Sequence, residues 1–174
     1  MKLTRILVIL FWVALAQPSE SPAAQICQSA SIPASTPTDR FVDNGEGTVT
    51  DTVTGLVWKR CAEGQSWDGV TCAGSASVMT WQGALQAAAN STFVGHNDWR
   101  LPNIKELYSI VEPQCVYPAI NLSVFPGLAA SMGFWSGSPN VANPGGSWAV
   151  GFDIGIVLDG KGASASVRLV RGGQ

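Results

Sequence analysis

Four cysteines, Cys27, Cys61, Cys72 and Cys115, follow an N-terminus that reads as an export signal, and this combination limits the fold more than any other feature. Lys2 and Arg5 precede the apolar run Ile6 to Val13, which leads into Ala14-Leu15-Ala16. That is a positive n-region, a short h-region and a small-x-small cleavage site. The apolar run is much shorter than the roughly 20 residues a membrane-crossing helix needs. Ala24-Gln25-Ile26-Cys27 also lacks the small residue that a lipobox places before its cysteine. The reading is a signal peptide over residues 1–16, a secreted or periplasmic destination, and no membrane span after cleavage. Four cysteines in an exported chain read as two disulfides. Cys61 and Cys72 bracket the polar loop Ala62 to Thr71 and are paired first, which joins Cys27 to Cys115 by elimination. Zinc is the competing use, but no C-x-x-C spacing is present and His96 is the only histidine, so no metal is expected.

Beyond residue 16 the chain carries 8 basic and 12 acidic residues, a formal net charge of −4. A net acidic surface argues against nonspecific nucleic-acid binding. Residues 17–39 are rich in Ser, Pro, Ala and Thr, a composition that buries too little apolar surface to fix a fold. They are expected to form a linker tethered at most by Cys27, leaving one domain over 40–174. Within that domain, turn chemistry at Asp43-Asn44-Gly45-Glu46-Gly47 and at Thr54-Gly55 separates runs of β-branched and aromatic residues, which predicts a hairpin or short meander.

Two helices are expected next. Thr80 is a candidate N-cap for Trp81 to Asn90. Asn103 with Glu106 forms a candidate capping box for a helix whose stripe is Ile104, Leu107, Tyr108 and Val111 and which Pro113 ends. Strands return at Phe134 to Ser136, Ser147 to Phe152, Ile156 to Leu158 and Ser164 to Val170. Strands, helices, then strands again predict an α+β fold with short, mainly antiparallel strands.

The chemistry-bearing residues are sparse. His96 stands near Asp98, a pattern that suggests a base and its orienting carboxylate, and an enzyme with its site there is the alternative to a noncatalytic module. No Gly-x-Ser-x-Gly elbow or H-E-x-x-H motif accompanies them, and no cofactor motif is present. Asp43, Asn44, Glu46 and Asp51 offer oxygen ligands of the kind calcium takes, although the same residues are what a tight turn requires. Asn90-Ser91-Thr92 and Asn121-Leu122-Ser123 match the glycosylation sequon, which recurs by chance. Six tryptophans remain beyond the signal, most of them expected in the core. Trp67 is the exception, because it lies in the polar Cys61 to Cys72 loop, where it can stack on a sugar ring.

Residues Phe41 to Asp51, followed by Thr54-Gly55-Leu56-Val57-Trp58, resemble the opening of the DUF1566 family, also called the Lcl C-terminal domain after a Legionella collagen-like adhesin. Trp81-Gln82-x-Ala84-Leu85, Asp98-Trp99-Arg100-Leu101-Pro102-Asn103-x-x-Glu106-Leu107, Phe134-Trp135-Ser136-x-Ser138 and Val167-Arg168-Leu169-Val170-Arg171-Gly172-Gly173 follow in the same order. The resemblance covers about residues 41 to 173. It implies a compact domain related to C-type lectin-like folds and to the formylglycine-generating sulfatase-modifying factors. The chain has neither the reactive cysteine pair of those oxidases nor the Glu-Pro-Asn and Trp-Asn-Asp motifs of calcium-dependent lectins.

Trp58, Trp99, Arg100, Leu101, Pro102, Glu106, Trp135 and Arg168 read as structural members of the signature. Arg100 is expected to be paired with a carboxylate or carbonyls. The adhesin's domain binds sulfated glycosaminoglycans, so the resemblance implies a noncatalytic surface module for an extracellular polysaccharide; an envelope protein as partner, in a purely structural role, is the further alternative. Strand alternation across Ser164 to Val170 makes Arg168 the candidate buried charge. Lys161 and Arg171 then form the surface pair for any polyanion, which two such charges on an acidic domain would hold weakly.

Overall fold

The computed structural model describes residues 24–128, 133–143, 146–160 and 164–172. The signal-peptide reading and Lys161 lie outside the described residues. The fold is α+β. In chain order the strands are β1 (Ile26–Cys27), β2 (Phe41–Asp43), β3 (Thr48–Asp51), β4 (Val57–Lys59), β5 (Ser66–Trp67) and β6 (Cys72–Ala73), then β7 (Cys115–Val116), β8 (Gly133–Pro139), β9 (Ser147–Gly151), β10 (Ile156–Asp159) and β11 (Val170–Arg171). Helices α1 (Trp81–Ala89) and α2 (Ile104–Tyr108) separate β6 from β7. One sheet has the order β11-β4-β3-β2 and another β10-β9-β8, while β1-β7 and β5-β6 form small pairs. Every pairing between these strands is antiparallel.

The first sheet follows from its turns. Gly45, Glu46 and Gly47 all have positive φ, which lets the β2–β3 connection reverse tightly, and Asp43 accepts a hydrogen bond from the Gly45 N–H. At the next reversal the Asp51 carboxylate accepts from the Val53 N–H (3.0 Å) and the Thr54 hydroxyl (2.7 Å). Trp58 on β4 is fully buried and packs edge-on against Phe125. Trp58 and Phe125 share the main core with Leu107, Ile110, Phe134 and Phe152, while Trp99, Leu101, Trp135, Val167 and Leu169 build a second core around α1.

Both helices begin as the sequence predicts. The Thr80 hydroxyl accepts from the Gly83 N–H. Asn103 and Glu106 complete a capping box, and the Ile104 N–H is taken by the Ser138 hydroxyl (3.0 Å). The second helix is shorter than expected. The Ser109 hydroxyl donates to the Glu106 carbonyl at its end, well before Pro113, and the chain then turns so that Ile110 enters the core. Tyr108, expected on the buried stripe, is exposed. Asn103→Ala should cost about 1 kcal/mol in urea unfolding, the usual worth of an N-cap.

Two expectations are corrected. Residues 24–39 do not form a linker held by Cys27 alone. Their strand β1 pairs with β7, the Gln25 side-chain amide donates to the Pro118 and Ile120 carbonyls, and the Asn121 amide donates to the Thr36 carbonyl. Glu112 accepts from the N–H groups of Ser35 (3.2 Å) and Thr36 (2.7 Å) and from the Thr36 hydroxyl (2.8 Å). The segment is a strap fixed by polar bonds, which an argument from apolar composition does not see.

The second correction concerns Ser164 to Val170, which is not a continuous strand. Met79 exchanges hydrogen bonds with Ala165, and Arg100 does the same with Val170. Gly133 and Trp135 bond Ser166, while the N–H groups of Glu63 and Lys59 take the carbonyls of Val167 and Leu169. The segment threads between elements, and all of residues 165–170 are buried, so the two-faced alternation expected of it does not hold.

Candidate functional site

A cleft of about 420 Å³ opens beside the Cys61–Cys72 disulfide, lined by Glu46, Gly47, Lys59, Gln65, Ser66, Trp67 and Phe93 as well as Cys61. Its parts come from four places in the chain. The β2–β3 turn supplies Glu46 and Gly47, the end of β4 supplies Lys59, and the disulfide-closed loop supplies Gln65 to Trp67. Phe93 arrives from the short helical turn Phe93–Gly95 after α1.

Trp67 is half-buried and its ring is held from behind. The Arg60 guanidinium carbon sits 4.1 Å from the ring centroid. Arg60 is itself fixed by Asp43 (2.6 Å) and by donation to the Val124 and Ser123 carbonyls (3.0 Å each). Gly47 lies directly beneath: a Cβ there would stand 2.8 Å from the Trp67 Cβ, and its φ of +78° disfavours any side chain. Opposite, the Lys59 ammonium lies 4.4 Å from the Phe93 ring centroid and is paired with Glu63. Phe93 packs edge-on against Trp99, whose indole N–H donates to the Phe93 carbonyl (2.9 Å). The Gln65 amide is occupied by the Ala62 N–H and the Gly127 carbonyl. Two aromatic rings thus face one cleft on a rigid frame, a pre-ordered surface of the kind on which ligands bind with little entropic loss.

The charges around this cleft are largely matched. Lys59 meets Glu63 and Arg60 meets Asp43, while Glu46 is exposed at the mouth. Nothing here concentrates positive charge.

The other sequence candidates lie elsewhere. Arg171 is not a free surface cation: its Nε donates to both carboxylate oxygens of Asp98 (2.9 and 3.1 Å). That bond holds the Asp98 carboxyl below its usual range. Asp98 is therefore engaged by Arg171, and His96 is exposed and does not line the cleft. The oxygens considered for calcium are also largely spent. Asp43 binds Arg60, Asn44 accepts from the Thr50 hydroxyl, and Asp51 is paired with Arg40 at 2.5 Å. Among the described residues no group of three or more His, Cys, Asp or Glu side chains is disposed to hold a metal ion.

The signature residues gather into a frame. Arg100 donates to both oxygens of Glu106 (2.7 and 2.8 Å) and to the Leu101 and Gly172 carbonyls, joining α2 to the end of the domain. Trp58, Trp99, Leu101, Trp135 and Arg168 are each at most 5% exposed, and Pro102 is buried beside them. Both cysteine pairs are bonded, Cys27 to Cys115 and Cys61 to Cys72. A family model for the Lcl C-terminal domain matches residues 47–171. The chain belongs to the Lcl C-terminal domain family. The match begins inside the β2–β3 turn, so the strap and β2 of this Lcl C-terminal domain lie outside the matched stretch. No curated protein matches the chain. The sequence singled out Trp67, but it missed Phe93 and Lys59, whose approach to Trp67 depends on how the turn after α1 folds back over β4.

Proposed function

We propose that this Lcl C-terminal domain is an exported, noncatalytic surface module that recognises an extracellular glycan through the Trp67–Phe93 cleft. The observation that carries this reading is the pair of aromatic rings, each buttressed by a cation, facing one open cleft. Pyranose rings present flat C–H faces that pack on aromatic rings, and the charge-matched walls favour a neutral sugar over a sulfated one. Two disulfides support an oxidising compartment, and no helix among the described residues is long and apolar enough to cross a membrane. The hydrogen bonds from Arg171 to both Asp98 oxygens, and the exposed position of His96 away from the cleft, support the noncatalytic reading over a site at His96. The fold relation we favour is to C-type lectin-like domains, on the strength of the two helices and short antiparallel strands.

A glycan array probed with the oxidised protein tests this. Binding should concentrate on neutral oligosaccharides, with heparin-type ligands weak at physiological salt, because exposed charge pairs contribute only about 0–1 kcal/mol each. Retention of sulfated glycans alone would place recognition outside the cleft.

A further inference from the structure

Arg168 differs from every other described arginine. Arg40, Arg60, Arg100 and Arg171 each pair with a carboxylate, on Asp51, Asp43, Glu106 and Asp98 respectively. Arg168 has no carboxylate partner, yet it is the most deeply buried of the five, at 1% exposure between Val167 and Leu169. One end of its guanidinium is accounted for. Nη1 donates to the Lys59 carbonyl (2.9 Å) and to the Arg60 carbonyl, and the guanidinium carbon lies 4.7 Å from the Phe125 ring centroid and 5.5 Å from that of Phe134. The other end is not. Nε and Nη2 are buried and find no protein acceptor.

Those two donors form one edge of the planar guanidinium, where the Nε–H and one Nη2–H point the same way and converge on a single acceptor. Ser166, two residues earlier, has a buried hydroxyl that is also unpartnered, and so does the indole N–H of Trp58, whose ring packs on the same Phe125. Of these four atoms three can only donate, and the fourth can donate. Burial pulls the Arg168 pKa down to about 9, which still leaves it protonated at neutral pH. A buried charge without a counter-charge costs several kcal/mol, and unmet donors add to that cost. A small acceptor would meet these donors, and one bearing a negative charge would also offset the buried cation.

We propose that the Nε–Nη2 edge of Arg168 holds a small monovalent anion of the chloride class inside the core, with the Ser166 hydroxyl as a further donor. The burial leaves no place for an extended polyanion, and the site is separate from the Trp67 cleft. Its role is structural: it neutralises the cation that fastens the final segment to β4.

The test unfolds the disulfide-intact protein in urea and refolds it in either sodium bromide or sodium gluconate at equal ionic strength. Bromide-refolded crystals should show one anomalous peak against Arg168 Nε and Nη2. The thermal midpoint should rise with bromide or chloride concentration in a saturable way, and it should not respond to gluconate. A non-anomalous peak at that position, an ordered water, would overturn the proposal. So would identical midpoints in halide and gluconate.

Discussion

Replacing Cys27 and Cys115 together by serine should lower stability by about 4 to 5 kcal/mol, because this bond closes a loop of 88 residues in the unfolded chain. Removing Cys61 and Cys72, only 11 apart, should cost less on the same chain-entropy argument, about 3 kcal/mol. The larger loss has a structural counterpart. Cys27 is the covalent end of the strap, and without it residues 24–39 are held by noncovalent bonds alone, chiefly those of the Glu112 carboxylate, the β1–β7 pairing, side-chain amides and the Ser35 hydroxyl. Urea unfolding followed by tryptophan fluorescence should therefore show a lower midpoint for Cys27→Ser with Cys115→Ser than for the other pair. Limited proteolysis should cut first between Gln28 and Pro37. A larger loss from the short loop would mean that the cleft-side disulfide, and not the strap, holds the domain together.

Asp51→Ala should cost about 3 to 5 kcal/mol, the usual penalty for leaving a buried charge without its partner. The Asp51 side chain is fully buried and Arg40's is 10% exposed, so water offers the remaining guanidinium little compensation. The same change removes the acceptor for Val53 and Thr54 and loosens the β3–β4 turn. Burial pushes the Asp51 carboxyl up, but the hydrogen bonds from Arg40, Thr54 and the Val53 N–H outweigh it and hold its pKa below the usual value. Glu112 follows the same pattern: burial raises it, and donation from Thr36, Ser35 and Gln114 brings it lower overall.

For such depressed acids the unfolded chain binds more protons than the folded one as pH falls. The stability they contribute is complete above their unfolded pKa values, about 4, and is lost as pH drops through the lower folded values. Wild-type protein should lose stability steeply below about pH 4, and Asp51→Ala should show a shallower acid limb. Parallel limbs would remove Asp51 from the acid response.

The helix starts were legible because caps are local: Thr80 and Asn103 with Glu106 act within three residues of themselves. The β3–β4 turn and the burial of Trp58, Trp99 and Trp135 were legible for a related reason, since turn residues and large apolar side chains leave few other choices. The strap was not, because one carboxylate at Glu112 gathers donors from a segment almost 80 residues earlier, and no window of composition carries that information. The final segment reads as an alternating strand because its sequence alternates, whereas its backbone bonds six separate residues, Met79, Arg100, Gly133, Trp135, Glu63 and Lys59, and is buried on both sides. In the candidate site, Trp67 stood out as an aromatic in a polar loop. Phe93 read as ordinary apolar chain, and only the fold brings it to the cleft.

The most direct test of the glycan reading is a titration of the oxidised protein with the best neutral oligosaccharide from the array, followed by backbone amide NMR, on wild type and on Trp67→Ala. Trp67 is half-buried at the cleft wall, so its removal should leave the fold and both disulfides in place. The expected result is shifts confined to Glu46, Gly47, Gln65 to Trp67 and Phe93 in the wild type. Affinity should fall at least tenfold in Trp67→Ala, or about 1.4 kcal/mol. Unchanged affinity in Trp67→Ala, or shifts centred on Asp98 and Arg171, would contradict the account.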